Sequence, residues 1–204
     1  FPAQMLDLKD ALLFVKANGG TYGYDGSKVV VSGDSAGGHL CSLLAVSAGN
    51  SDWEKAGEDY RVQAVVEFCG PCRLGESGRQ DAADPDIVRQ LLGVSDCGKA
   101  LAGRGAAASP DTYVDGTDPP FLILHGSADP AVSPDQSRIL RNALEAAGVP
   151  VHMYLIPGGV HGLGGELVDC VVQEFLDYYI KNRVTVLTPE LQPIHDRTVP
   201  PAVR

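Results

Sequence analysis

Apolar positions near the start of the chain recur at three- and four-residue steps. Met5, Leu8, Leu12 and Val15 mark one face, Leu13 and Phe14 widen it, and the spacing predicts an amphipathic helix over 5–17. Asn18-Gly19-Gly20 stops it. The period then changes: residues 28–32 (KVVVS) form a short β-branched run, which predicts a strand buried on both faces, as in a parallel sheet. A glycine-rich hexapeptide, residues 33–38, follows at once, and a second helical pattern runs through Leu40, Leu43, Leu44 and Val46. The alternation continues with strands at 62–68, 120–125 and 151–156, a helix at 135–147 ended by Gly148, and a helix at 166–181. Strands that alternate with helices predict an α/β fold, a mostly parallel sheet with flanking helices and right-handed crossovers.

The pattern weakens between Cys69 and Asp118 into Gly, Ala, Asp and Pro, with one short helical stretch around Ile87 to Leu92. Residues of about 70–118 are therefore expected to leave the sheet as a cap-like excursion of the kind that builds pocket walls. Residues 183–204 hold four prolines and little periodicity. They read as a tail that lies on the surface or reaches a neighbouring copy, which leaves a homo-oligomer open. The expected organisation is one domain over 1–182 and a C-terminal tail over 183–204.

The chain has 204 residues, 44% hydrophobic and 21% charged, which suits a soluble globular domain with a real core. No apolar run approaches the roughly 18 residues a membrane-spanning helix needs. Sixteen basic against twenty-six acidic residues give a net charge of −10. That balance disfavours nucleic acid and anionic membrane as partners and points to a small neutral molecule or another protein. Five cysteines, at 41, 69, 72, 97 and 170, lack the spacing of a disulfide framework or a zinc site and leave the compartment open, cytoplasmic or secreted. The chain begins at Phe1 and enters a helical pattern within a few residues, so it is expected to be a processed product or a piece of a longer protein.

Gly33-Asp34-Ser35-Ala36-Gly37 fits G-x-S-x-G between a hydrophobic strand and an amphipathic helix. A serine at such a turn is held in a strained backbone conformation, with glycines two positions either side to avoid collisions between strand and helix. The helix N-terminus offers backbone N–H groups, notably that of Ala36, to a developing oxyanion. A serine hydroxyl is a poor nucleophile at neutral pH and needs a base, which in turn needs an orienting carboxylate. In the order Ser, acid, His, Asp129 lies just past the strand at 120–125 and His161 just past the strand at 151–156, in a glycine-rich loop before the last helix. Ser35, Asp129 and His161 are the expected nucleophile, acid and base, and activity should fall as acid protonates His161.

These stretches resemble the C-terminal two-thirds of an α/β-hydrolase of the esterase/lipase kind. The similarity is greatest to small carboxylesterases that include bacterial feruloyl and acetylxylan esterases and the hormone-sensitive-lipase-like group. GDSAGGHL at 33–40, ASPDTYV at 108–114, PPFLILHGSADPAVSPDQS at 119–137 and AGVPVHMYLIPGGVHG at 147–162 carry the resemblance. It implies an α/β-hydrolase fold and hydrolysis of a small-molecule ester through an acyl-enzyme, on acetylated or feruloylated carbohydrate by family likeness, with no metal or organic cofactor. It also implies further strands upstream and a His-Gly-Gly type loop that completes the oxyanion hole. Two other readings share parts of the pattern: a prolyl-oligopeptidase-like peptidase has the same residue order, and a catalytically silent hydrolase-like domain would serve binding or assembly.

Other residues have competing readings. Cys69-Gly70-Pro71-Cys72 matches the thioredoxin redox tetrapeptide, but here it follows an esterase-like strand and is read as a turn. Asp34 could tune the serine, though a hydrogen-bonding turn residue is the plainer role. Glu67 competes with Asp129 for the acid and is less favoured. His39, His125, His152 and His195 are read as structural or solvated, because none occupies the loop before the final helix. Trp53, Tyr22, Tyr24 and Tyr113 are candidates to line an acyl or alcohol pocket.

Overall fold

The computed structural model describes residues 1–49, 52–75, 85–95 and 99–183. The expected tail beyond Arg183, Cys97, His195 and part of the excursion lie outside the described residues. Helix α1 spans Ala3–Ala17 and is followed by a single helical turn, α2, at Gly19–Tyr22. The chain continues as β1 (Val30–Asp34), α3 (Ala36–Val46), β2 (Ala64–Phe68), α4 (Pro85–Leu92), α5 (Lys99–Ala107), β3 (Phe121–Gly126), α6 (Pro134–Ala147), β4 (Val151–Ile156) and α7 (Glu166–Tyr179), with a 3₁₀ turn at Pro110–Thr112 before β3.

Among the described residues the four strands form one parallel sheet in the order β1-β2-β3-β4. The register aligns Val31 with Val65, Val66 with Leu122 and Leu124 with Tyr154. Each strand after β1 is added on the same side of its predecessor. Right-handed crossovers then put α3 and α6 on one face of the sheet.

The side-chain clusters agree. Met5 and Leu12 of α1, Leu43 and Leu44 of α3, and Leu140 and Leu144 of α6 pack with Val65, Phe121, Ile123, Val151 and Met153. Alternate residues of the same strands, Ala64, Val66, Leu122, Leu124 and Tyr154, pack on the other face against Val168, Val171 and Phe175 of α7. The period-two alternation of strand side chains is thus used twice, once for each layer.

Three expectations need correction. The first strand runs over Val30–Asp34 rather than 28–32, and it is only partly buried rather than buried on both faces, since among the described residues it lies at the edge of the sheet. On α1 the buried positions are Met5, Lys9 and Leu12, while Phe14 is 55% exposed. Lys9 is buried because its ammonium meets Glu54 at 2.5 Å and lies 4.7 Å from the centroid of the Tyr60 ring. The excursion holds a helix that periodicity did not show, α5, whose sequence KALAGRGAA carries no apolar stripe. Its Gly105 passes so close to the chain that a Cβ there would lie 2.6 Å from the Leu74 carbonyl oxygen, so tertiary contact overrides poor helix propensity. Among the described residues no helix is long and apolar enough to cross a membrane.

Candidate active site

The C-terminal ends of three parallel strands converge on one point. Ser35 sits between β1 and α3 with φ 53° and ψ −118°, a conformation that non-glycine residues rarely adopt. Its N–H donates to the Phe68 carbonyl at 2.8 Å, which ties the turn to the end of β2. The tightness falls on Gly33 and Gly38 rather than on Gly37. A Cβ on Gly33 would lie 2.4 Å from the Gly37 carbonyl, and one on Gly38 would lie 2.8 Å from both Glu67 Oε1 and the Phe68 carbonyl oxygen, whereas one on Gly37 meets nothing within 4 Å. Helix α3 begins at Ala36, directly after Ser35, so the first N–H groups of that helix have no carbonyl one turn earlier.

The loop after β3 shapes Asp129. Its Oδ1 accepts from the backbone N–H of Ala131 at 2.8 Å and of Val132 at 3.0 Å. The loop after β4 is bound to it: Ala128 N–H donates to the Gly159 carbonyl at 2.9 Å, and Gly158 N–H to Ser127 Oγ at 2.8 Å. His161 emerges from this pair of loops. Its Nδ1–H donates to Asp129 Oδ2 at 2.7 Å, and its Nε2 accepts from Ser35 Oγ at 2.8 Å. The Asp129 side chain is fully buried and the imidazole is 27% exposed, so one end of the array is sealed and the other faces the solvent. Desolvation works against the Asp129 carboxylate, yet the Val132 and Ala131 N–H groups and the His161 ring outweigh it, and its pKa lies below the ordinary value.

The structure thus brings together Ser35, Asp129, His161 and the Ala36 end of α3, and none of the competitors hydrogen-bonds to Ser35 or to the His161 ring among the described residues. Asp34 is exposed at the end of β1. Glu67 is buried at the end of β2, where its Oε1 accepts the Gly70 N–H, and burial pushes its pKa up to about 8. A carboxyl that stays neutral there is no orienting base partner. His39 is buried and donates from Nε2 to the Ala108 carbonyl at 2.6 Å, and His152 contacts the Tyr179 hydroxyl at 2.9 Å beside α7. His125 is buried directly behind Asp129. Trp53 packs between Phe1 and Tyr113 against the main core, and Tyr22 and Tyr24 stack on the surface near Phe14.

Cys69 is the residue whose place the sequence reading missed. It follows β2 with φ 43°, and because Phe68 pairs with Asp34 in register, it lands beside Ser35. Burial pushes the Cys69 thiol up, and Cys72 likewise, so neither is the exposed low-pKa thiolate a redox motif needs; both are free cysteines. Among the described residues, one potential ligand atom each from Cys69, Asp129 and His161 lies within 4.8 Å of the others.

The sequence model of the BD-FAE family matches residues 1–144. Esterase LipQ of Mycobacterium tuberculosis (strain ATCC 25618 / H37Rv) is 33% identical over 166 residues, which are 79% of this chain and 39% of that protein. A solved structure described as a truncated form of carbohydrate esterase from gut microbiota superposes with a TM-score of 0.76 at 29% identity, over 90% of this chain and 69% of that one. The acetyl ester-xyloside bifunctional hydrolase from Caldicellulosiruptor lactoaceticus gives a TM-score of 0.67 at 26% identity, over 89% of this chain and 63% of that one. The chain therefore spans about two-fifths of the length of LipQ. With the parallel sheet and the strand-turn-helix serine, these matches show that the chain belongs to the BD-FAE family of esterase-type α/β-hydrolases.

Proposed function

We propose that this chain carries the acyl-transfer site of a serine carboxylesterase, with Ser35 as nucleophile, His161 as general base and Asp129 as the orienting acid. The hydrogen-bonded array from Ser35 Oγ through the His161 ring to Asp129 Oδ2, at 2.8 and 2.7 Å, supports the reading. Ser35 Oγ attacks the acyl carbonyl carbon as its proton passes to His161 Nε2. The Ala36 N–H at the head of α3 donates to the oxygen that becomes negative. His161 then returns the proton to the leaving alcohol, and water, activated by the same imidazole, releases the acid and restores Ser35. Asp129 holds the ring in the tautomer that keeps Nε2 free to accept, and stabilises the imidazolium while it lasts. None of these steps calls on a metal or organic cofactor. The names of two structural neighbours, a carbohydrate esterase and an acetyl ester-xyloside bifunctional hydrolase, favour an acetylated or acylated sugar as the substrate class.

A fluorophosphonate probe is expected to label the chain at Ser35, and labelling should vanish in Ser35→Ala while the circular dichroism spectrum stays the same. A folded chain that never labels would instead support a silent domain. Hydrolysis of p-nitrophenyl acetate and acetylated xylo-oligosaccharide should exceed that of peptide amides; the opposite order would favour a peptidase.

A further inference from the structure

A second imidazole lies behind the first. His125, the penultimate residue of β3, is fully buried, and its Nε2 stands 3.0 Å from the Val132 carbonyl oxygen and 3.2 Å from Asp129 Oδ2. Both neighbours are acceptors, so the ring proton belongs on Nε2. Burial holds the ring neutral. Nδ1 must then accept, and its partner is the Ser137 hydroxyl of α6 at 2.7 Å, which has a proton to donate. The direction of every hydrogen bond in this array follows: Ser137 to His125, His125 to the Val132 carbonyl and Asp129, His161 to Asp129, Ser35 to His161.

Asp129 is the sink of that pattern. Its Oδ1 takes two backbone N–H groups, and its Oδ2 faces two imidazoles, from His161 at 2.7 Å and His125 at 3.2 Å. Four donors match the four lone-pair sites of a carboxylate. The adjoining Glu67 carboxyl, beside Ser137 and without a hydrogen bond on Oε2, stays neutral at ordinary pH, which leaves Asp129 as the one negative charge of the cluster.

We propose that His125 is a positioning residue for the reaction: locked by Ser137 in the Nε2–H tautomer, it holds the Asp129 carboxylate in the orientation that meets His161. The proposal rests on the assignment of Ser35, His161 and Asp129 made above. Without the second imidazole, Oδ2 keeps a single donor, and only the two backbone N–H groups on Oδ1 oppose a small rotation of the carboxylate away from His161. Small displacements in such arrays are costly, about a hundredfold in rate for roughly 1 Å.

The test compares His125→Phe, which keeps a ring and loses both nitrogens, with His125→Gln, which can still donate an amide N–H toward Asp129. His125→Phe is expected to lower kcat for p-nitrophenyl acetate by about tenfold to a hundredfold with KM within about twofold. It should slow fluorophosphonate labelling of Ser35 by the same factor. His125→Gln should recover most of the loss. The low-field proton resonance of the His161 Nδ1–H···Oδ2 hydrogen bond should move in the Phe variant and stay near its original place in the Gln variant, which mere support of the fold would not produce. If His125→Phe does not fold, Ser137→Ala decides, because it removes a single oxygen. That variant should lower kcat several-fold and shift the same resonance. A folded His125→Phe or Ser137→Ala chain with unchanged kcat and an unmoved resonance overturns the positioning role. If Ser35→Ala leaves hydrolysis intact, the assignment of the site itself has failed; if Ser35→Ala abolishes hydrolysis while the His125 variants are silent, only the positioning proposal has.

Discussion

Two carboxyl groups end neighbouring strands of one sheet and lie in the same buried region, yet they are held in opposite states. Glu67, at the end of β2, is completely buried and meets one backbone N–H, that of Gly70; burial wins and its pKa rises to about 8. Asp129, in the loop after β3, has an equally inaccessible side chain but two backbone N–H groups and two imidazoles around it, and its pKa falls below the ordinary value. Burial alone therefore does not set the charge of a carboxyl group. The number of donors aimed at it does. Short loops make that difference, since the turn from Asp129 to Val132 folds two of its own N–H groups back onto the side chain, while the end of β2 presents a single backbone N–H, that of Gly70.

The largest test of the contrast is to remove the charge where it is held. Asp129→Asn should lower kcat about a thousandfold to ten-thousandfold in p-nitrophenyl ester assays, because the amide can donate to His161 and favour the wrong tautomer. A loss below about tenfold would mean that Asp129 is not the orienting group.

Crowding the neutral carboxyl is the next way to break the contrast. A methyl group at Gly38 would press on Glu67 Oε1 and the Phe68 carbonyl. Gly38→Ala should destabilise the fold by about 1–3 kcal/mol in urea unfolding, and no change would show that the turn has room to spare.

The smallest effect concerns Glu67 itself. Below its ordinary value near 4.5 the carboxyl is protonated in both the folded and the unfolded chain. Between there and about 8 the unfolded chain gives up the proton and the folded one keeps it, so the contribution to stability is lost as pH rises through that window. Glu67→Gln has no proton to keep, so its melting temperature relative to the parent should rise from pH 5 to pH 8, by about 5 °C. A difference that ignores pH would contradict a neutral Glu67. Asp129 tilts the curve the other way, because a carboxylate with a depressed pKa stabilises the fold above its unfolded value and loses that contribution as pH falls through the folded one.

Legibility of the fold in the sequence followed the range of the forces involved. The strand at 151–156 and the helix ended by Gly148 were readable because apolar alternation and a left-handed glycine cap are local signals. The first strand was read as buried on both faces because KVVVS looks alike whether or not other elements cover it, and what packs on it is not written in those five residues. Lys9 broke the helix pattern for the same reason: its partner, Glu54, is 45 positions away. The positions of Ser35, Asp129 and His161, each just past a strand, were legible from the order of elements. Cys69 was not, because its nearness to Ser35 comes from the register between β1 and β2.

By itself, then, the chain determined the alternation of strand and helix, the strained serine turn, and the order in which hydroxyl, carboxyl and imidazole occur, since each depends on residues within a few positions of one another. Only the tertiary structure decided that those three groups meet at 2.7 and 2.8 Å, that His125 and Ser137 stand behind the acid, and that one buried carboxyl is neutral while its neighbour is charged. Protonation and hydrogen-bond direction are properties of the finished environment, set by donors that arrive from different strands once the sheet has closed around them.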